Sequence, residues 1–342
     1  MSSTHWEPLF PHDAFSRTVM AKLDCKRRSA TRPHTEIFVT YDDPKQDEKF
    51  VIKECYSKID AITFKETMAK KFEHLMQWNH SNVIKYFGLE LQQVKVLFDS
   101  KLIYRIASPY YTGGDLKMWA EKNVTPPMTG SGNHGELHVR HDAVGAFLRD
   151  LLTGLDFLHT SVKLVHCDIK PANLMLKQEG HRQVIIIDLD DAVLNDVGGE
   201  QSETDNACCT PCYAAPELID CTALEGIAKA PPISCKTDIW SVGCVAIQLC
   251  TGAAPVVCQW QKAKDATNEW EGSYSFGKQL KTKENILYQV ARLKAKPKLP
   301  DLGDDKLDQL LLSFIKSCLY FDMDSRKTAA ELQIDDYFTQ VN

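Results

Sequence analysis

The sequence lacks the features that mark secreted and membrane proteins. Its longest apolar stretches, such as Ile239 to Cys250, are too short and too polar to span a bilayer. The N-terminal residues Met-Ser-Ser-Thr-His-Trp-Glu have neither the basic start nor the apolar core of a signal peptide. We therefore expect an intracellular protein, cytoplasmic or nuclear, with no membrane span.

The sequence also lacks an excess of positive charge, and it has no glycine before Gly88. The net charge is −6 and charges of both signs are dispersed along the chain. The sequence therefore gives no basic surface that would indicate a nucleic-acid partner. The short cluster Lys26-Arg27-Arg28 is typical of a solvated loop. None of the 17 glycines precedes Gly88, which excludes a glycine-rich phosphate-binding loop from the first 87 residues.

Cysteine is present but does not form a framework. The 12 cysteines are scattered along a chain of 342 residues, which is too long to need disulfides for stability. Cys208, Cys209 and Cys212 form one cluster, but no second ligand pair at suitable spacing accompanies them, so a zinc site is not expected. We expect free thiols in a reducing compartment.

The hydrophobic pattern changes along the chain and indicates an α+β fold. Strand-like runs occur at 35–41, 49–55, 83–89 and 94–98, and one amphipathic helix is predicted over 61–78, with Phe64, Met68, Phe72 and Leu75 on one side. Later segments have helical periodicity. These segments are 144–159, 236–251 and 306–319. The polar stretches 123–142 and 253–283 are interpreted as surface insertions.

Two short motifs carry the chemistry. The first is His166-Cys167-Asp168-Ile169-Lys170-Pro171-Ala172-Asn173, and the second is Ile185-Ile186-Ile187-Asp188. Transfer of a phosphoryl group from ATP needs an acid to accept the hydroxyl proton, a cation on the moving phosphoryl, and an amide plus an acid on magnesium. The two motifs contain all of these groups.

These motifs resemble the catalytic and metal-binding segments of eukaryotic serine/threonine protein kinases. The resemblance implies a two-lobed fold over residues 15–340, with a β-rich N-lobe (about 15–107), a helical C-lobe (about 108–340) and an extension at 1–14. It assigns Asp168 as the base, Lys170 as the residue that neutralises the transferred phosphoryl, and Asn173 and Asp188 as ligands of magnesium or manganese. ATP and a protein with a serine or threonine hydroxyl are the implied substrates.

The resemblance also predicts an ATP site in the first half of the chain. Lys53, in Val51-Ile52-Lys53, matches the strand lysine that binds the ATP phosphates. Its partner is expected to be a helix glutamate, either Glu73, which we favour, or Glu66. Because the glycine-rich cover is absent, Phe15 to Ala21 is the best remnant of that segment, in which Val19 and Ala21 would pack on the adenine and Arg17 would supply a cationic contact.

Ser108-Pro109-Tyr110-Tyr111-Thr112-Gly113-Gly114-Asp115 resembles the hinge of the same family. By this resemblance, backbone groups of Pro109 and Tyr111 would bind the adenine edge, and Asp115 would face the ribose or a substrate cation. Ser108 would be the small residue at the back of the pocket, which predicts that bulky adenine-site inhibitors fit.

Further landmarks follow in the family's order. Thr210 matches the residue that contacts Asp168 and Lys170, Glu217 is expected to pair with Arg326, and Asp238 is expected to brace the catalytic loop. Cys167 replaces the arginine that binds a phosphate on the activation segment, so we expect weak dependence on phosphorylation of Ser202 or Thr204.

The sequence leaves two principal functions open. A divergent serine/threonine kinase is favoured because the chemical set is complete. The alternative is a pseudokinase, a binding module with weak or no phosphoryl transfer. It is favoured by the absent glycine-rich loop and by Asp190, which stands where the family has glycine. A small-molecule kinase is disfavoured by Lys170 and by the closing motif Ala215-Pro216-Glu217.

Overall fold

The computed structural model describes two compact units, Met1–Thr112 and Gly113–Asn342. The residues it describes are 6–23, 35–41, 49–57, 59–96, 99–124, 138–194, 209–218, 233–262, 270, 272–275 and 295–341. The division follows the predicted change from strands to helices, and it falls a few residues after the predicted lobe boundary at 107/108. An α+β fold with a β-rich first part and a helical second part is confirmed.

The N-terminal unit is built on one antiparallel sheet of six strands in the order β1-β5-β6-β4-β3-β2. The strands are β1 (Glu7–Phe10), β2 (Thr18–Leu23), β3 (Glu36–Tyr41), β4 (Phe50–Ser57), β5 (Gly88–Val96) and β6 (Asp99–Pro109). Three predicted strands correspond to β3, β4 and part of β5. The strand predicted at 83–89 is wrong over most of its length, because only His80 and Val83 form an isolated bridge before β5 begins at Gly88.

One helical segment packs on this sheet, and it is irregular. It consists of α1 (Ala61–Phe64), a π-helical turn (Lys65–Ala69) and α2 (Lys70–Gln77). The carboxylate of Asp60 begins the segment by accepting hydrogen bonds from the backbone N–H groups of Ile62 and Thr63. The wider π turn adds one residue to the spacing. As a result Ala69 is buried and Met68 is only half-buried, whereas regular periodicity predicted Met68.

The segment before β2 belongs to the same unit. β1 pairs with β5, and a 3₁₀ turn (Asp13–Ser16) follows it. This turn buries Ala14 completely against Phe50, Ile52 and Ala107. The predicted boundary between an extension (1–14) and the domain therefore falls inside a packed layer.

The C-terminal unit is mainly helical. Its helices are α3 (Leu116–Asn123), α4 (His141–Phe157), α5 (Cys235–Thr251), α6 (Lys306–Cys318), α7 (Ala329–Gln333) and α8 (Asp336–Gln340). The predicted helices at 144–159, 236–251 and 306–319 are confirmed as α4, α5 and α6. A capping box of Ser234 and Thr237 begins α5, and Gly252 at φ 74° ends it. None of the described helices is long and apolar enough to cross a membrane.

Short strands complete this unit. β7 (Leu164–Val165) pairs with β10 (Val193–Leu194), and β8 (Leu174–Leu176) pairs with β9 (Val184–Ile186). β11 (Val257–Lys262) pairs with both β12 (Gly272–Ser275) and β13 (Ala295–Pro297). The stretch 253–283, interpreted from sequence as a surface insertion, thus contains two strands of a small sheet.

Candidate active site

The loop between β7 and β8 holds the predicted base in a network of hydrogen bonds. Oδ2 of Asp168 accepts from Nζ of Lys170 at 2.5 Å, and Oδ1 accepts from the backbone N and Oγ1 of Thr210 at 2.9 and 2.7 Å. Nζ of Lys170 also donates to Oγ1 of Thr210 at 2.8 Å. The predicted contacts of Thr210 with Asp168 and Lys170 are confirmed. A carboxylate fixed in this way has the orientation that proton acceptance from a hydroxyl requires.

A fully buried aspartate on α5 fixes the backbone of this loop. Oδ2 of Asp238 accepts from the backbone N of His166 at 2.8 Å, and Oδ1 accepts from the backbone N of Cys167 at 2.9 Å. Nε2 of His159 adds a contact to Oδ2 at 2.8 Å. Cys167 is held at φ 66°, a left-handed conformation that costs energy for a residue other than glycine. The predicted bracing role of Asp238 is confirmed.

Two histidines of this network were not assigned a role from the sequence. Nδ1 of His166 accepts from the backbone N of Asp168 at 3.2 Å, while Nε2 lies 2.9 Å from the carbonyl oxygen of Ile187. His166 thereby links the catalytic loop to the segment that carries Asp188. Its place at the head of the motif was the available signal. For His159 the sequence offered none, because its partner Asp238 is 79 residues away.

Asn173 and Asp188 are brought together by the β8–β9 hairpin. The backbone N of Ile187 donates to the carbonyl oxygen of Asn173 at 3.0 Å, and Asp188 follows at φ 68°. Nδ2 of Asn173 donates to the carbonyl oxygen of Asp168 at 2.9 Å, which leaves Oδ1 of Asn173 as the acceptor that a hard cation would use. The donor set therefore fits magnesium or manganese.

This pair alone does not make a closed metal cage. Within the described residues no three His, Cys, Asp or Glu side chains cluster closely enough to hold an ion. Magnesium is commonly bound by one or two carboxylates together with phosphate oxygens of the substrate. Asn173 and Asp188 match that arrangement, whereas Asp190 is buried with 2% of its surface exposed.

The end of the activation segment is fixed by a buried ion pair. Nη1 and Nη2 of Arg326 contact Oε1 and Oε2 of Glu217 at 2.6 and 2.9 Å. Nε of Arg326 donates to the carbonyl oxygen of Tyr320 at 2.7 Å, and its guanidinium lies 5.1 Å from the ring centre of Trp240. The predicted pairing of Glu217 with Arg326 is confirmed. Such a pair is strongly destabilising when only one partner is removed.

Comparison with known proteins agrees with this geometry. The protein kinase domain family matches residues 39–338 of the chain. The chain belongs to the protein kinase family. The match begins at Val39 in β3, so it leaves out β1, β2 and the segment in which the family's glycine-rich cover was sought.

Several fungal and amoebal kinases are similar in sequence. The serine/threonine-protein kinase SSK22 of Saccharomyces cerevisiae is 28% identical over 77% of this chain and 17% of its own length. The MAP kinase kinase kinase wis4 of Schizosaccharomyces pombe is 27% identical over 82% of this chain and 17% of its own length. The probable serine/threonine-protein kinase samkB of Dictyostelium discoideum is 28% identical over 56% of this chain and 28% of its own length. The chain thus spans less than a third of each of these relatives.

In this kinase chain Lys53 and Ser108, two residues of the predicted nucleotide site, both lie on the sheet of the N-terminal unit. Lys53 on β4 is half-buried and pairs with Ile106 of β6, and two residues earlier Val51 pairs with the buried Ser108. Directly paired residues of an antiparallel sheet lie on the same face, so Lys53 and Ser108 share a face. Glu66 and Glu73 are both exposed, and a pairing of Lys53 with either one stays a prediction.

The backbone register also locates the remnant of the glycine-rich segment. Val19 pairs with Thr40 and Ala21 pairs with Val39, with an irregularity between them. Val39 pairs with Val51, so Ala21 is in the row of paired positions that contains Ser108, whereas Val19 is in a different row. Contact of Val19 with adenine stays a prediction, as does the cationic role of Arg17, whose Nη2 donates to Oδ2 of Asp13 at 2.7 Å.

The predicted hinge residues lie at the end of the first unit and the start of the second. Pro109 ends β6, and the backbone N of Tyr110 donates to the carbonyl oxygen of Lys49 at 3.1 Å. Burial raises the pKa of Tyr111 to about 12, so its phenol is neutral at physiological pH. Their adenine contacts stay predictions.

Asp115 has a structural contact that the sequence did not assign. It is the N-cap of α3, where Oδ1 accepts from the backbone N of Met118 at 2.8 Å. Only 6% of its surface is exposed. Its contact with the ribose or a substrate cation stays a prediction. Ser202 and Thr204 lie outside the described residues.

Proposed function

We propose that this chain is a serine/threonine protein kinase that transfers the γ-phosphoryl group of ATP to protein hydroxyls. The observation that carries the proposal is the network around Asp168, whose two oxygens contact Lys170 and Thr210 at 2.5 to 2.9 Å. A carboxylate held by side chains from two segments has the fixed geometry that proton transfer and positioning need.

Each residue of this network has a role in the proposed reaction. Asp168 orients the acceptor hydroxyl and takes its proton as the oxygen attacks the γ-phosphorus. Lys170, next to Asp168, neutralises charge on the moving phosphoryl. Asn173 and Asp188 would hold magnesium, which when bound neutralises charge on the ATP phosphates. Lys53, on the sheet of the N-terminal unit, would bind the phosphates.

The substrate is a protein rather than a small molecule in this proposal. Thr210 contacts both Asp168 and Lys170, and the activation segment closes on the Glu217–Arg326 pair, which supports a platform for a peptide.

Nine described cysteines are all free, which favours a reducing compartment such as the cytoplasm or nucleus.

The pseudokinase hypothesis stays as the alternative, for two specific reasons. No glycine precedes Gly88, so a phosphate cover made of closely approaching backbone N–H groups is absent from the first 87 residues. Asp190 adds a buried acidic residue two positions after Asp188. The absent cover would weaken nucleotide binding rather than remove the groups that transfer the phosphoryl.

The test is transfer of labelled γ-phosphate to the chain itself and to a generic basic protein, with magnesium and separately with manganese. Asp168→Asn should lose the label while keeping its fold. Asp308→Asn, the same change at a buried aspartate that contacts His141, is the matched control and should keep the label. Absence of label from folded wild-type protein with either metal would refute the kinase and leave the pseudokinase.

A further inference from the structure

The sheet of the N-terminal unit has a second face, opposite the face that carries Lys53 and Ser108. Phe72 of α2 packs against Tyr104 on the face that carries Lys53. The opposite face carries Phe50, Ile52 and Ala107, and the 3₁₀ turn at 13–16 covers part of it by burying Ala14. We call this opposite side the outer face.

A cavity of about 70 Å³ lies on the outer face beside that turn. It is lined by Phe15, Arg17, Phe38, Thr40, Ile52 and Arg105. A single water needs about 10–15 Å³, and an engineered apolar cavity of about 150 Å³ holds benzene. The outer cavity is therefore large enough for a branched aliphatic group, or for the inner part of a phenyl ring.

Arg105 gives this apolar cavity a set of fixed donors. Its Nε donates to Oε2 of Glu54 at 2.8 Å, and its guanidinium lies 3.9 Å from the ring centre of Trp6. Both contacts hold the guanidinium in place. Its two terminal amino groups, in contrast, have no protein hydrogen-bond partner within the part of the chain that the structure describes. They are available to a ligand that carries an acceptor.

The surrounding charges decide which acceptor fits. Arg105 is balanced by Glu54, and Arg17 is balanced by Asp13 at 2.7 Å. Glu90 is paired with Arg105 across β5 and β6 and adds a third carboxyl group. The two guanidinium groups thus face three carboxyl groups. A further carboxylate would be repelled by them, whereas a neutral carbonyl oxygen would accept from Arg105 without that cost.

The sequences that connect β3 to its neighbouring strands are polar. β3, which contributes Phe38 and Thr40, is joined to β2 and β4 by residues 24–35 and 42–49. Neither connecting segment contains a branched aliphatic or aromatic residue apart from His34. We propose that the outer cavity binds a branched aliphatic group of about the size of a leucine side chain, carried by a molecule that has a neutral carbonyl oxygen. The group belongs either to a small molecule or to a residue of a partner peptide.

The proposal can be tested by NMR titration of the whole chain labelled at isoleucine δ1 methyl groups, followed at Ile52. The probes are 3-methylbutanamide, its carboxylate analogue 3-methylbutanoate, and N-acetyl-leucinamide. Saturable shifts at Ile52 in the millimolar range are expected for both amides, with binding of the carboxylate at least about fivefold weaker. Tighter binding of N-acetyl-leucinamide than of 3-methylbutanamide identifies a peptide residue as the source, and the reverse identifies a small molecule.

Variants separate the cavity from non-specific binding. Phe38→Trp should fill the cavity and abolish the shift at Ile52. Arg105→Lys, a milder change, should weaken the amides about tenfold or more, as expected for loss of one hydrogen bond from a charged donor. Arg182→Lys, an exposed arginine paired with Asp142 in the other unit, is the matched control and should change nothing. Absence of saturable shifts at Ile52 with both amides, or unchanged binding to folded Arg105→Lys, would overturn the proposal.

Discussion

Replacing Asp238 with asparagine is the sharpest test of how the catalytic loop is held. Asp238 is fully buried on α5 and receives three hydrogen bonds. Two of them come from the backbone N–H groups of His166 and Cys167, which directly precede Asp168. Asparagine keeps the shape of the side chain but replaces one oxygen acceptor with an NH₂ group, so the three donors cannot all be satisfied.

The cost of Asp238→Asn follows from the two oxygens. The cheaper orientation keeps the amide oxygen at the Oδ2 position, which has two donors, and turns the NH₂ group toward the N–H of Cys167. An unmet buried donor costs about 1–3 kcal/mol, and loss of the charge on the other two bonds costs about 1 kcal/mol each. The free energy of unfolding should fall by about 3–5 kcal/mol, and Tm by roughly 10 °C.

Activity should fall further than stability alone explains. Cys167 at φ 66° is expected to relax once its N–H is no longer held, and this would move the neighbouring Asp168. A displacement of about 1 Å in a catalytic group costs about 100-fold in rate. We therefore expect kcat at 25 °C to fall about 100-fold while circular dichroism shows the native fold.

The assay pairs thermal unfolding with phosphoryl transfer at saturating ATP. Asp308→Asn is the control, because Asp308 is buried with 9% exposure and contacts His141, outside the catalytic loop. It should lower Tm and leave kcat within about twofold. If Asp238→Asn lowers Tm but keeps a wild-type kcat, the inference that Asp238 positions Asp168 is refuted.

Four further outcomes are expected. Ser202→Ala and Thr204→Ala should each keep basal transfer in a phosphorylation assay, because no arginine precedes the catalytic aspartate; complete loss in either would contradict this. Ser108→Met should weaken bulky adenine-site inhibitors at least about tenfold in competition binding, because the buried serine is replaced by a larger side chain, and equal affinity would contradict it. Glu90→Gln should raise Tm at pH 7, because burial raises the pKa of Glu90 and so disfavours its charged form in the folded state. The gain in Tm should vanish as the pH falls below that pKa. A gain in Tm that persists in acid would contradict this explanation. The fully buried side chain of Lys296 lies against two aromatic rings. In urea titrations, Lys296→Ala should therefore lower the free energy of unfolding by about 3 kcal/mol, and Lys296→Met, which keeps most of the packing, by much less. Equal losses from the two variants would exclude packing as the cause.

The sequence predicted best where a short motif sets its own geometry. Asp168, Lys170 and Asn173 are separated by two or three residues, so one turn of chain brings them together. Thr210 and Asp238 were placed correctly although they are distant in sequence, because the order of the family's landmarks supplied the pairing. Periodicity alone located α4, α5 and α6, which have long apolar stripes.

Prediction failed where one residue or a distant strand decides the structure. The π turn at Lys65–Ala69 changes which side chain is buried, and hydrophobic periodicity assumes a regular helix. β1 pairs with β5 some 80 residues away, and a four-residue strand has too little pattern to show this. Asp115 has the place of a ligand-facing acid in a motif, but it also begins α3 as a cap.

The departures from the protein kinase family are unevenly distributed, and this bears on which function is retained. The groups proposed for proton and phosphoryl transfer, Asp168 and Lys170, are joined by hydrogen bonds within the C-terminal unit. The missing glycines and the exposed Glu73 belong to the N-terminal unit, where the nucleotide phosphates are expected to bind. When a binding interaction is missing equally from the ground state and the transition state, KM rises and kcat does not fall. Apart from Asp190 and Cys167, the departures are thus of the kind that weakens ATP binding, while a chain that had given up catalysis first would have no need to keep Asp168 between Lys170 and Thr210.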